Sequence, residues 1–160
     1  MLYFAYGSNL NLDQMIYRCP DSIRIGLGIL NGWEMIFRGP LDIYEKKGGS
    51  VIGQVFQISQ DDLKALDRYE GYPRFYTRIP VQVVMPGKVV TALVYTMTSA
   101  HKLRAYPPSP GYWETVLEGY EHCGLPEEYL TKSLKRTEKA CQKAVKKAKV
   151  KKGKLVPQVA

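Results

Sequence analysis

Histidine and cysteine are scarce in this chain of 160 residues, which holds two of the first and three of the second. His101 and His122 stand far apart. Cys19, Cys123 and Cys141 are odd in number, widely spaced and form no C-x-x-C. A His-rich metal site and a disulfide-stapled miniprotein are thereby excluded, and the pattern reads as a reduced, cytosolic (cytoplasmic) protein without structural metal. No apolar run approaches the roughly 20 residues needed to span a bilayer, so no membrane partner is expected. The opening MLYFAYGSNL lacks a basic segment and reaches Asn9 after too few apolar residues to be a signal peptide. Internal repeats and long linkers are also missing. Gly26-Leu27-Gly28 begins like a dinucleotide fingerprint, but Asn31 stands where the third glycine belongs.

Acidic residues are nearly absent from one region only. Thr131 to Ala160 contains 11 Lys+Arg and a single acid, Glu138, leaving the first 130 residues with 12 basic and 14 acidic of the chain's 23 and 15. The formal charge of +8 therefore belongs to an appended basic segment, and the body is nearly neutral. The reading is a body over residues 1–130 and a Lys-rich C-terminal helix or tail over 131–160. The tail has no aromatic residue for base stacking, so any nucleic-acid contact through it would be nonspecific, and a solvated, partly helical tail is preferred. Hydrophobic residues at 45% and charged residues at 24% describe an ordinary globular body.

Local signals divide that body into short elements. Leu2–Tyr6 reads as a buried strand ended by the turn Gly7-Ser8-Asn9. Asn11 caps a short helix from Leu12, answered by Gln14 and ended by Pro20. Ser22–Phe37 reads as two strands with a hairpin at Asn31-Gly32, Gly39–Ser50 as a polar loop, and Val51–Ile58 as another strand. Ser59 caps a helix with Asp61 and Asp62 in its first turn and Leu63, Leu66 and Tyr69 on one face. Gly71 and Pro73 stop it after Glu70. Phe75–Val84 and Val89–Met97 form a hairpin through MPGK. Helices follow over about Gly111–His122 and from Pro126, with Lys132–Lys149 able to be helical and disorder expected beyond Val150. Short strands joined mostly by hairpins argue for a mixed or antiparallel sheet over a doubly wound one.

Three segments carry candidate chemistry. In Tyr6-Gly7-Ser8-Asn9-Leu10 a glycine at a strand end admits close backbone approach, and successive N–H groups can hold an anion or oxyanion. Ser8 is a poor nucleophile candidate, because Leu10 breaks G-x-S-x-G and no histidine partner can be named. Glu70 lies at a helix C-terminus among Tyr69, Tyr72, Phe75 and Tyr76. The dipole and an apolar pocket would both raise its pKa, which suits a general acid/base, whereas a solvated glutamate is the alternative. Asp67, one turn back, is expected to cap or to pair with Arg68. In YPPSPGYW, stiff prolines present Tyr112. Cys19 and Cys123 are read as buried and inert.

Taken in order, YFAYGSNL, LDRYEGYP and PPSPGY followed by GLPEEYL resemble the gamma-glutamylcyclotransferase family over about residues 2–130, a family related to the AIG2-like and gamma-glutamylamine cyclotransferases. The resemblance implies an α+β fold, a small mixed β-barrel with flanking helices. It implies substrate binding by Tyr6, Gly7, Ser8 and Asn9, a pocket lined by Tyr3, Phe4 and Ala5, further contacts from Tyr76 and Tyr112, and catalysis by Glu70. The implied reaction, of acyltransferase or lyase type, is attack of a γ-glutamyl α-amine on its own γ-carbonyl. It releases 5-oxoproline and an amine, with no cofactor and no metal. A non-catalytic module that binds γ-glutamyl metabolites is the alternative. The leaving amine and the oligomeric state stay open.

Overall fold

The computed structural model describes residues 1–102 and 104–154. Its strands are β1 (Leu2–Ala5), β2 (Ile23–Phe37), β3 (Leu41–Gln57), β4 (Tyr76–Met85) and β5 (Lys88–Met97). Its α-helices are α1 (Leu12–Arg18), α2 (Gln60–Glu70), α3 (Pro110–Cys123) and α4 (Glu128–Lys154), and a short 3-10 turn covers Ser8–Leu10. The strands close into a barrel in the order β1-β3-β2-β4-β5. Neighbours are antiparallel except β1 and β5, which meet in parallel at Tyr3 and Leu93. The architecture is the α+β mixed barrel with flanking helices, and closure removes the sheet edges that would otherwise invite foreign pairing.

Local chemistry accounts for most of these elements. Asn11 caps α1 by accepting from the Gln14 N–H at 3.3 Å. Ser59 and Asp62 form a reciprocal capping box on α2, and Gly71 ends that helix in the left-handed conformation at φ 65°. Ser109 caps α3, with Pro110 at its first position. The β4–β5 hairpin turns at Pro86-Gly87, where Gly87 has φ 73°.

Two expectations are corrected. Asn31-Gly32 does not make a hairpin, because β2 runs through it as one 15-residue strand. Gly32 spends its positive φ of 83° on a bulge, where the register with β3 shifts between Asn31 and Trp33. The chain reverses instead around Gly39, at φ 76°. The segment 39–50 is accordingly not a loop: from Leu41 onward it is the first half of β3, paired from Leu41↔Phe37 to Ser50↔Asn31. Glu45, Lys46, Lys47 and Gly48 are all exposed, so this twisted ribbon shows no apolar alternation to read.

The helix α4 packs through its first half. Leu130, Ser133 and Thr137 are buried; Thr137 Oγ1 accepts from the Phe37 N–H at 3.0 Å, and Arg136 pairs with Glu34 at 3.0 Å. From Gln142 to Gly153 every residue is exposed. Residues 151–154 are helical where disorder was expected, and the rest of that expectation, over 155–160, lies outside the described residues. Among the described residues no helix is long and apolar enough to cross a membrane.

The contact that matters most for the site is between α3 and the 3-10 turn. Gly119 is buried there, and a Cβ at this position would lie 2.6 Å from the Asn11 backbone nitrogen and 2.7 Å from the Leu10 carbonyl carbon. Those are backbone atoms, which cannot swing aside as a side chain can. Gly119→Ala should therefore destabilise the protein by about 1–3 kcal/mol. Urea denaturation measures this, and an unchanged midpoint would show that α3 does not pin the turn.

Candidate active site

The site forms where the end of β1 meets the end of α2. Beyond Ala5 the chain turns through Tyr6 and Gly7 into the 3-10 turn, while Gly71 stops α2 directly after Glu70. These two points, 61 positions apart at Asn9 and Glu70, share a cavity of about 240 Å³. Of the residues expected there, Tyr3, Tyr6, Gly7, Ser8, Asn9, Glu70, Tyr76 and Tyr112 line it. Phe4 and Ala5 do not. Both are fully buried; strand alternation sends the Phe4 ring to the opposite face, where it lies against Gly53 with the Ala5 carbonyl.

Glu70 is the carboxyl of this cavity. Its Oε1 accepts from Asn9 Nδ2 at 3.0 Å, and the same amide nitrogen donates to the Tyr3 hydroxyl at 2.9 Å. Asn9 Oδ1 in turn accepts from the Arg18 guanidinium. Ser8 Oγ and the Tyr69 hydroxyl lie 3.0 Å apart. On the opposite wall the Leu41 peptide is clamped from two sides. Its N–H donates to the Tyr112 hydroxyl at 3.0 Å, and its carbonyl accepts from the Tyr76 hydroxyl at 2.7 Å. A Cβ on Gly7 would come within 3.2 Å of the Tyr112 hydroxyl, so glycine is what lets the turn and α3 close on the cavity.

The surroundings set the protonation states. Burial pushes the Glu70 carboxyl from its ordinary 4.5 up to about 7, against the opposing pull of Arg18 and the Asn9 hydrogen bond. The residue nevertheless retains some exposure, because one side of it faces the cavity. Burial likewise raises Tyr3, Tyr6, Tyr76, Tyr95 and Tyr112, which keeps these rings neutral near pH 7. Asp67 is not a second free carboxylate beside Glu70, nor does it pair with Arg68. Arg78 holds it through two N–H donors at 2.9 and 3.3 Å, and the Tyr95 hydroxyl donates to it at 2.6 Å.

Tyr69 and Phe75, which the sequence already set around Glu70, also line the walls, and Pro40, Leu41 and Tyr95, which sequence reading missed, complete them. Leu41 and Tyr95 had no signal, because they arrive from strands that only barrel closure brings near. The buried Cys19 and Cys123 take no part in the cavity, and burial pushes the Cys19 thiol up to about 12. Among the described residues no cluster of His, Cys, Asp and Glu is placed to hold a metal ion.

Comparison with known proteins adds kinship to this geometry. Residues 3–115 match the family model described as "Gamma-glutamyl cyclotransferase, AIG2-like". Over 145 residues the chain is 32% identical to a gamma-glutamylcyclotransferase of Bos taurus and 32% identical to one of Homo sapiens. Each alignment spans 82% of this chain and 76% of the relative. A solved structure of a gamma-glutamyl cyclotransferase superposes with a TM-score of 0.73 at 31% identity, covering 83% of this chain and 85% of that one.

The raised Glu70 pKa has a consequence for stability. Between about pH 4.5 and 7 the folded state holds a proton that the unfolded state releases, so stability falls as pH rises through that window. The deficit is complete above about 7 and absent below 4.5. With allowance for water reaching the carboxyl through the cavity mouth, it amounts to about 2 kcal/mol. The stability of Glu70→Gln relative to wild type should thus improve by about that much between pH 4.5 and pH 8. Paired urea titrations at the two pH values measure it, and a pH-independent difference would mean that Glu70 is not held in a desolvated position.

Proposed function

The chain belongs to the gamma-glutamyl cyclotransferase, AIG2-like family, and from that premise we propose that it cyclises γ-glutamyl compounds to 5-oxoproline with Glu70 as the general acid/base. In this reaction the substrate's α-amine attacks its own γ-carbonyl carbon. A C–N bond forms to close the five-membered ring, and the γ-amide C–N bond breaks to expel an amine or amino acid. The nucleophile belongs to the substrate, so the proximity term is already supplied and neither an enzyme nucleophile nor a cofactor is needed.

Two protons are left for the protein to move. Ionised Glu70 takes a proton from the substrate ammonium so that the amine can attack, and the resulting carboxylic acid returns it to the departing nitrogen; the second proton, shed by the ring nitrogen as it becomes an amide, passes through the same carboxylate to the expelled amine, which leaves as an ammonium. A carboxyl held near pH 7 suits both steps, because neither protonation state is costly to reach. Backbone N–H groups of the Gly7-Ser8-Asn9 turn take the substrate's negative charge, on the α-carboxylate or on the γ-carbonyl oxygen as it becomes an oxyanion. The neutral rings of Tyr3, Tyr6, Tyr76 and Tyr112 exclude water around the folded-back substrate. The observation that carries the reading is the single half-buried carboxyl facing the glycine turn across one small cavity.

The experiment is 5-oxoproline release from γ-glutamyl amino acids, γ-glutamyl amines and glutathione, followed by mass spectrometry. Glu70→Gln should lower kcat by about 10²–10⁴-fold while remaining folded. In wild type, kcat/KM should rise with pH through about 7 as Glu70 ionises. Full activity in a folded Glu70→Gln protein would remove the mechanism. Measurable binding without turnover across the panel would make the protein a γ-glutamyl-binding module instead.

A further inference from the structure

One cation beside the site has no part in the chemistry above. Arg18, the last residue of α1, is half-buried and does not line the cavity. Its guanidinium donates through Nη1 to Asn9 Oδ1 and through Nη2 to Gln14 Oε1 at 3.4 Å. Its central carbon lies 3.3 Å over the Tyr69 ring centroid. A single side chain therefore ties together α1, the turn after β1, and the last turn of α2. Two of its three partners reach the site: Asn9 donates to Glu70, and the Tyr69 hydroxyl meets Ser8 Oγ.

The two ends of a side-chain amide differ only in what they can do. Its oxygen accepts and its nitrogen donates. If the Asn9 amide turned over, its oxygen would face the Glu70 carboxyl, repelling the carboxylate and favouring the protonated acid. A guanidinium cannot accept a hydrogen bond, so it holds the amide oxygen on its own side and leaves the NH₂ group to Tyr3 and Glu70. We propose that Arg18 is a positioning residue: by pinning the Asn9 carbonyl and the Tyr69 ring, it fixes the orientation in which Asn9 donates to Glu70. This rests on the reading of Glu70 as the proton carrier.

The other groups facing Glu70 do not duplicate that role. Tyr3 from β1, Tyr6 from the turn, Tyr76 from β4, Tyr95 from β5 and Tyr112 from α3 are neutral near pH 7. Burial keeps the Cys19 thiol neutral as well. Asp67 on the same helix is occupied by Arg78, and Asp42 from β3 is paired with Arg38 at 3.2 Å and Lys102 at 3.8 Å. Among the described residues Arg18 is the cation that acts on the Glu70 carboxyl, and it favours the ionised form.

The test uses the full chain as wild type, Arg18→Met and Arg18→Lys, with melting curves to establish folding. The first readout is a ¹³C NMR titration of the Glu70 side-chain carboxyl in the substrate-free protein, and the second is the kinetics of 5-oxoproline release. In Arg18→Met the Glu70 midpoint should move upward, the acidic limb of the pH–rate profile should follow it, and kcat should fall by about 10–100-fold. Arg18→Lys keeps the charge but loses the planar fork. Its midpoint should return most of the way to wild type while kcat stays reduced by about 10-fold. An unchanged Glu70 midpoint in folded Arg18→Met overturns the proposal whatever the turnover. If that variant does not fold, Arg18→Lys decides, and a wild-type midpoint together with wild-type kcat overturns it. Wild-type protein without turnover, whose Glu70 midpoint still responds to Arg18, would defeat the proposed reaction and leave the positioning role in place.

Discussion

A carboxyl group moved out of water must be neutralised, fully partnered, or left poised between its two protonation states. Glu70 is in the third condition. One amide donor and one indirect cation favour its charge, and surrounding rings disfavour it more strongly. Full pairing would have made it a structural ion, like Asp67 held by Arg78 and Tyr95 a turn earlier on the same helix. The contrast between these two acids, three residues apart, separates the candidate chemistry from the scaffold. One acid is locked by a bidentate arginine and a phenol, and the other meets a cavity.

The barrel exists, for this purpose, to hold two distant segments at hydrogen-bond distance. β1 is only four residues long, yet it pairs with β3 on one side and β5 on the other, so the turn that follows it is anchored at its root. The turn is anchored at its far end by α3, through the backbone approach that Gly119 permits. Glu70 is delivered by a helix whose both ends are capped by local sequence, which fixes where the last residue points. Tyr76 and Tyr112 then clamp the Leu41 peptide and bring in the wall opposite, from the hairpin of β2 and β3. Most of the lining side chains sit on strands and helices or directly beside them, as the proposed reaction, which needs one folded-back substrate conformer, requires.

What could be read beforehand was what local chemistry decides. The caps of α1 and α2, the Pro86-Gly87 hairpin and the end of α2 at Gly71 all follow from residues within a few positions of one another. The glycine turn and Glu70 were legible for the same reason, as short motifs. The Asn31-Gly32 pair misled because the same left-handed glycine serves a hairpin turn or a bulge, and only pairing with β3 decides which. The stretch Glu45–Gly48 of β3 misled because four consecutive exposed residues carry no period. Leu41, Tyr95 and the service of Arg18 to Asn9 depend on contacts created by barrel closure, which no window of sequence contains. The exposed lysine-rich end of α4 lies apart from the cavity, and the family model, which matches residues 3–115, does not reach it.

The most direct test of the central claim is a crystal structure of the protein with 5-oxoproline bound. The ring nitrogen, the atom from which Glu70 takes its proton in the proposed reaction, should lie about 3 Å from a Glu70 carboxyl oxygen, with the product's carboxylate or lactam oxygen on N–H groups of Gly7, Ser8 or Asn9. A product ring bound in the cavity with its nitrogen turned away from Glu70 and beyond reach of a bridging water would contradict the account.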